Sequence, residues 1–274
     1  MTHNNADTDW LALAGQVCVV TGAGSGIGAA TAEELARLGA AVAVLDRDSD
    51  AAERVAQLIC SNGGKAIAIT ADVADEASVK AAARAVEAQL GPCRALVNNA
   101  AVRHRQRLAD VGLEAWHRVL GVNLTGALLC SQVFSSQMVA AGHGGSLIHV
   151  ASLLGHHPQI DGGPYSVSKA AMLMMSRVLA LELAEHRIRS NTVSPGFFRT
   201  PATEASYRDP EVAAARTRLI PSARIGMPQD MGNVISFLAS ERSSYINAQD
   251  LTVDGGVSST LMGKVPLATL KRGA

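Results

Sequence analysis

The chain lacks an excess of charge of either sign: 24 Lys and Arg balance 24 Asp and Glu, for a formal net charge of zero. With no long-range positive field to gather phosphate backbones, nucleic acid is not expected as a partner. Paired cysteines are missing too. Cys18, Cys60, Cys93 and Cys130 stand tens of residues apart with no C-x-x-C, so neither a zinc knuckle nor a disulfide framework is expected. They read as buried, reduced thiols of a cytosolic protein. No H-E-x-x-H occurs among the eight histidines, and the neighbours His156 and His157 cannot form a helical i, i+4 ligand pair, so no metal is expected. The apolar runs read as too short and too interrupted to cross a bilayer. Residues 1–9 are polar and acidic, without the basic start and apolar stretch of an export signal. A soluble, cytoplasmic protein with no membrane partner is the expectation.

What is present is apolar: hydrophobic residues make up 48% and charged residues 18% of 274 positions. That excludes a disordered chain and allows one well-buried core, near the upper end of a single domain. Along most of the chain a short β-branched run is followed by turn residues and then by an Ala/Leu-rich stretch of helical period. The alternation predicts one α/β domain over 1–274, a doubly wound, seven-stranded parallel sheet with helices on both faces. Strands are expected at 16–21, 40–45, 65–70, 95–98, 146–151, 189–194 and 250–253, and helices at 27–38, 50–62, 76–90, 113–141, 163–186 and 229–239. No repeat, low-complexity segment or charge block divides the series. Residues 1–14 read as an N-terminal extension and 257–274 as a C-terminal tail. Within 197–227, Pro201, Pro210 and Pro221, with Pro228 just beyond, bracket short helical pieces such as 211–219, the pattern of a substrate-binding lid.

Directly after the first expected strand comes Thr21-Gly22-Ala23-Gly24-Ser25-Gly26-Ile27-Gly28, leading into a helix. Glycines permit the turn and let backbone approach a pyrophosphate, while free N–H groups and the helix dipole favour the anion. The same glycines also suit a purely structural βα turn. Asp46 closes the second strand eighteen positions beyond Gly28, where a carboxylate can accept hydrogen bonds from ribose hydroxyls and repel a 2′-phosphate. The alternative is an N-cap or turn aspartate in Asp46-Arg47-Asp48-Ser49-Asp50, and Arg47 can instead embrace a 2′-phosphate.

Tyr165 and Lys169 lie four residues apart at the start of an expected helix, which places both on one face. An ammonium near a phenol favours the phenolate and brings the tyrosine down from its ordinary value of about 10 toward general acid–base use. Ser152 falls at the C-terminal end of a buried strand, where open α/β sheets place ligand chemistry.

These residues together resemble the short-chain dehydrogenase/reductase family in its classical form, over about 16–256. The resemblance is carried in order by the T-G-x-x-x-G-x-G turn at 21–28, Asp72-Val73, Asn98-Asn99-Ala100, Asn123, Ser152, Tyr165-x-x-x-Lys169, Pro195-Gly196 with Thr200, and Val253-Asp254-Gly255-Gly256. It implies a Rossmann fold and an NAD(P)-dependent oxidoreductase. Tyr165 would take or give the hydroxyl proton, Ser152 would hydrogen-bond the substrate oxygen, and Lys169 would lower the tyrosine pKa and bind the nicotinamide ribose. Asn123 would hold a water linking Lys169 to solvent. Gly22, Ser25, Gly26, Ile27 and Gly28 would hold the pyrophosphate and Asp46 the adenosine ribose. Asp72 and Val73 would border the adenine, Asn99 and Ala100 the adenosine ribose side, and Pro195, Gly196, Phe198 and Thr200 the nicotinamide carboxamide. Ala101 departs from the usual N-N-A-G, adding a methyl near the cofactor wall.

The expected cofactor is NAD, with NADP disfavoured by Asp46, and the expected substrate is a small secondary alcohol or ketone. Two rivals stand beside this reading: an NADPH-dependent 3-oxoacyl-carrier-protein reductase, and a non-catalytic cofactor-binding scaffold. Arg103-His104-Arg105-Gln106-Arg107 and Gly155-His156-His157-Pro158-Gln159 should approach the substrate, binding a polar or anionic group or simply facing solvent. Phe197, Phe198, Met172 and Met175 read as pocket lining or core, and His149 as a core histidine. Leu261, Met262, Val265, Pro266, Leu267 and Leu270 give the tail an apolar character that points to burial across a subunit interface in a homotetramer.

Overall fold

The structure, a computed structural model, describes residues 10–260. Its strands are β1 (Val17–Thr21), β2 (Ala41–Asp46), β3 (Lys65–Thr70), β4 (Ala95–Asn98), β5 (Gly145–Val150), β6 (Ile188–Pro195) and β7 (Asp250–Val253). The helices between them are α1 (Gly26–Arg37), α2 (Ser49–Ser61), α3 (Glu76–Leu90), α4 (Leu113–Leu120), α5 (Gly126–Ala141), α6 (Gly163–Glu182), α7 (Pro210–Leu219) and α8 (Pro228–Ala239). All seven strands run parallel in the order β3-β2-β1-β4-β5-β6-β7. Helices cover both faces, which is why the central strands read as continuous apolar runs.

Alternation along each strand divides the core in two. Cys18, Val20, Val42 and Val44 point to one face and pack with Leu35 of α1, Val55 of α2 and Ile235 of α8. Val17, Val19, Ala43 and Leu45 point to the other, against Val86 of α3 and Phe134 and Met138 of α5. Burial pushes the thiols of Cys18 and Cys130 up to about 12, whereas Cys60, expected to be buried like the others, is exposed near the end of α2. Residues 10–14, expected as an extension, join the fold: Leu11 and Leu13 are buried, and Trp10 stacks on Phe237 with ring centroids 6.3 Å apart.

Two expectations need correction. The helix foreseen over 113–141 is interrupted: α4 passes through a single π-helical turn, Gly121–Thr125, before α5 begins. The wider turn coincides with two close contacts. A Cβ on Gly126 would come within 2.8 Å of Val73, and the Asn123 side chain reaches out to the backbone of Val102. Such one-turn π insertions are frequent at functional sites. Moreover, Leu113–Ala141 taken as a whole is long and apolar enough by length and composition to cross a bilayer, contrary to the reading of its runs as too short. Here Cys130, Phe134 and Met138 are fully buried under the sheet.

Elsewhere the differences are at element ends. The helix expected over 163–186 ends at Glu182 and continues as a 3-10 turn to His186, closed by Arg187 at φ 58°. The Asp48 carboxylate accepts from Ala51 N–H at 3.0 Å and starts α2 one residue earlier than foreseen. Of the tail, 257–260 form a 3-10 turn, and the apolar positions from Leu261 onward lie outside the described residues.

Candidate active site

The strand order reverses at β1, whose neighbours β2 and β4 are reached in opposite directions, so their connections part and leave a crevice at the C-terminal ends. Thr21, the last residue of β1, fastens its floor. The Thr21 hydroxyl accepts from Asn99 N–H (3.0 Å) and Ala100 N–H (3.1 Å), and Asn99 Nδ2 donates back to the carbonyls of Thr21 and Gly22. The sequence reading assigned Thr21 no site role.

A cavity of about 390 Å³ fills the crevice. Gly22, Ser25, Gly26, Ile27 and Asp46 line it on one side, Asp72, Val73, Asn99 and Ala100 on another, and Pro195, Gly196, Phe198 and Thr200 on the third. Gly28 alone of the expected cofactor residues does not line it. A Cβ there would meet the Gly22 carbonyl at 2.2 Å and Asn99 Nδ2 at 2.5 Å, so its role is to let α1 pack against the turn. Ser25 makes no side-chain cap on α1, leaving the N–H groups of the first turn without side-chain partners. Gly26 has φ +58°, and a Cβ on it would project to 3.5 Å from Thr200 Cβ, filling the space beside that turn. An anionic pyrophosphate fits such a cradle. Asp46 Oδ2 accepts from Gly24 N–H at 2.9 Å and Oδ1 from Asp48 N–H at 3.0 Å, bracing the glycine turn while keeping its charge at the cavity.

A second cavity, about 690 Å³, adjoins the first, and Ser152, Tyr165, Arg103, Gly196, Phe198 and Thr203 are among the residues common to both walls. Lys169 lines only the first. It is fully buried, its Nζ donates to the Val150 carbonyl at 2.6 Å, and it stands 5.7 Å from the centre of the Tyr165 ring. Burial, with the Arg103 charge adding to it, brings the ammonium down to about 7. The Arg103 guanidinium lies 4.8 Å from the Tyr165 ring centre, a contact not foreseen. The Ser152 hydroxyl accepts from Leu154 N–H at 3.1 Å.

Asn123 lines neither cavity. It is buried, accepting from Val102 N–H at 2.8 Å and donating to the Val102 carbonyl and Ser168 Oγ, each at 3.0 Å. Its amide therefore anchors the strand-end segment that carries Arg103. His149 is a core histidine held by Asn98 and Ser190, brought down to about 3 by burial and then by the Lys169 charge. Met172 belongs to the core with Ala127, Ala151 and Leu173, and Met175 packs at its edge.

The two polar segments divide. Arg103, His104, Arg105, His157, Pro158 and Gln159 line the second cavity. His156 does not: its Nε2 meets Asp250 Oδ2 at 2.9 Å, a partner on the final strand that local spacing does not reveal. Over both cavities lies the 197–227 segment, through Phe198 and Thr203 for both, and Tyr207 and Arg216 for the second. Thr203 Oγ1 donates to the Phe198 carbonyl at 2.7 Å and accepts from Thr200 N–H at 2.9 Å, shaping the turn that carries both. A short motif scan misses Thr203, Tyr207 and Arg216 because their positions depend on how this segment folds back.

A family profile described as enoyl-(acyl carrier protein) reductase matches residues 22–258. The chain is 36% identical over 246 residues to a 2,5-dichloro-2,5-cyclohexadiene-1,4-diol dehydrogenase of Sphingobium indicum, covering 90% of this chain and 97% of that protein. Among solved structures, a gluconate 5-dehydrogenase from Burkholderia cenocepacia in complex with NADP and tartrate superposes with TM-score 0.87 at 32% identity, covering 92% of this chain and 99% of the other. A 7α-hydroxysteroid dehydrogenase complexed with NADH and 7-oxo glycochenodeoxycholic acid also gives 0.87, at 33% identity over 93% of this chain and 98% of the other. The chain belongs to the short-chain dehydrogenase/reductase family. It is an NAD(P)-dependent oxidoreductase acting between alcohol and ketone.

Proposed function

We propose that the protein is an NAD-dependent dehydrogenase of a secondary alcohol, with Tyr165, Lys169, Ser152 and Asn123 as its working residues. The observation that carries this reading is the meeting of the two cavities at Ser152 and Tyr165, one suited to a dinucleotide and the other open to a substrate. A nicotinamide held by the first cavity would supply the hydride acceptor for oxidation and the hydride donor for reduction. Ser152 Oγ donates to the substrate oxygen and orients it toward Tyr165. Tyr165 Oη takes the hydroxyl proton as the carbonyl forms, and gives it back in the reverse direction. Lys169, buried one helical turn from Tyr165 with its ammonium brought down to about 7, supports the proton transfer at the Tyr165 hydroxyl. Asn123 is a positioning residue, acting through the Val102 backbone and Ser168.

Asp46 supports NAD over NADP because it forms no ion pair among the described residues and would face a 2′-phosphate with an uncompensated charge. Arg47 also lines the cavity and favours the NADP-dependent rival, as does the NADP seen in the Burkholderia relative. Segment 197–227 acts as a lid over both sites. A cytoplasmic location agrees with the exposed, unpaired Cys60 and three buried unpaired thiols. Apolar tail residues favour a homotetramer, and the substrate is a small molecule rather than a nucleic acid or a membrane.

Three measurements test this reading. Tyr165→Phe should bind NADH nearly as the wild type does but lose about 10²- to 10⁴-fold in turnover. Retention of more than half the wild-type kcat would refute the role of Tyr165. For cofactor choice, kcat/KM should favour NAD, and Asp46→Asn, which keeps an acceptor for Gly24 N–H but removes the charge, should narrow the gap by about tenfold, the size of one charge contact. A wild-type preference for NADP would sink the assignment. For assembly, sedimentation should return four chains per particle, and truncation after Ser259 should weaken assembly or raise the substrate KM; a truncated tetramer with unchanged kinetics leaves the tail neither role.

A further inference from the structure

Three arginines line the second cavity, Arg103 and Arg105 from the turn after β4 and Arg216 from α7, and none forms an ion pair among the described residues. Two nearby arginines outside the lining have carboxylate partners: Arg199 meets Glu204 and Arg224 meets Asp230, each at 2.7 Å. Arg208 and Arg218 of the lid form no ion pair among the described residues either, but both are exposed, where water serves them. Arg216 is different because it is half-buried. Its guanidinium carbon lies over the Tyr207 ring, 5.0 Å from its centre, and over that of Phe197, 5.8 Å from its centre.

Five donors on a half-buried guanidinium require acceptors. Among the described residues Arg216 has one long bond, Nη1 to the Ser206 carbonyl at 3.4 Å. Ser206 precedes α7, so this contact does not cap the C-terminus of the helix that carries the arginine. Asp161 is the one carboxylate in the lining of a cavity that also presents three guanidinium groups. Leu153, Leu154, Phe197 and Tyr207 supply apolar wall between the charges.

We propose, resting on the dehydrogenase reading above and deepening it, that the substrate is a hydroxy acid, or the matching oxo acid, with an apolar body. Its carboxylate takes two parallel N–H···O bonds from Arg216, and its carbinol carbon lies at Ser152 and Tyr165. Arg216 is thus the specificity-determining residue, carried on the lid, while Arg103 and Arg105 add field of the same sign. In oxidation the carbinol C–H leaves as hydride to the nicotinamide and the O–H proton goes to Tyr165; the carboxylate is unchanged.

The test is calorimetric titration of the NADH-loaded enzyme with cyclohexanecarboxylate and with neutral cyclohexanecarboxamide. The wild type should bind the acid at least about tenfold more tightly, in line with a charge-assisted pair. Arg216→Gln should abolish that preference, and Arg218→Gln, its exposed neighbour on the same helix, should retain it. Equal affinity for acid and amide in the wild type, absence of measurable acid binding, or equal losses in the two variants would each overturn the anchor. NADH binding is followed separately by its fluorescence: if it fails, the dinucleotide reading falls, and the acid and amide titrations on cofactor-free protein still decide the anchor.

Discussion

The site depends on a parallel sheet whose strand order turns back at β1. Every parallel connection leaves from a C-terminal strand end, so a reversal of direction leaves one place where no connection crosses. Here that place lies between β1 and β4, and the Thr21 hydroxyl bonds the Asn99 and Ala100 N–H groups across it. With the floor fixed, the first turn of α1, the β4 end and the β6 end face a common space, and a chain that reaches the crevice from three directions can hold a long ligand at several points along its length.

Lys169 shows what this arrangement costs and what it provides. A fully buried ammonium is expensive unless paired or hydrogen-bonded, and among the described residues its one hydrogen bond is to the Val150 carbonyl at 2.6 Å. That carbonyl ends β5, so the lysine ties α6 to the strand that leads into Ser152. Burial and the neighbouring Arg103 hold its charge on the edge of neutrality, at about 7, which suits a group that exchanges protons near physiological pH. Linkage gives the sign: with the folded pKa below the unfolded value of about 10.4, the unfolded chain binds more protons between the two, and stability contributed by this group rises with pH across that window.

Much of this was legible in the sequence because the signals were local. All seven strands and the main helices follow from short apolar runs alternating with helical periods, and Tyr165 and Lys169 meet because they are one helical turn apart. What was hidden depended on distant partners. The π turn at Gly121–Thr125 coincides with Asn123 reaching Val102 and Gly126 meeting Val73, neither visible in the helical period. In Asp46-Arg47-Asp48 the spacing alone could not say which acid caps α2; the structure gives that task to Asp48 and leaves Asp46 to Gly24. His156 reads like a pocket residue from its neighbour His157, yet Asp250, ninety-four positions away, holds it elsewhere. Arg216 had no signal at all, since its meaning comes from Phe197 and Tyr207 closing around it.

The central claim is that a buried lysine, poised near neutrality beside Tyr165, takes part in the proton transfer at the substrate oxygen. It is tested most directly by the pH dependence of kcat/KM for alcohol oxidation in the wild type and in Lys169→Met. The account predicts an ionisation near 7 in the wild type, that of the buried Lys169 ammonium, which is missing from Lys169→Met together with most of its turnover. An ionisation at the same pH in both proteins would contradict it.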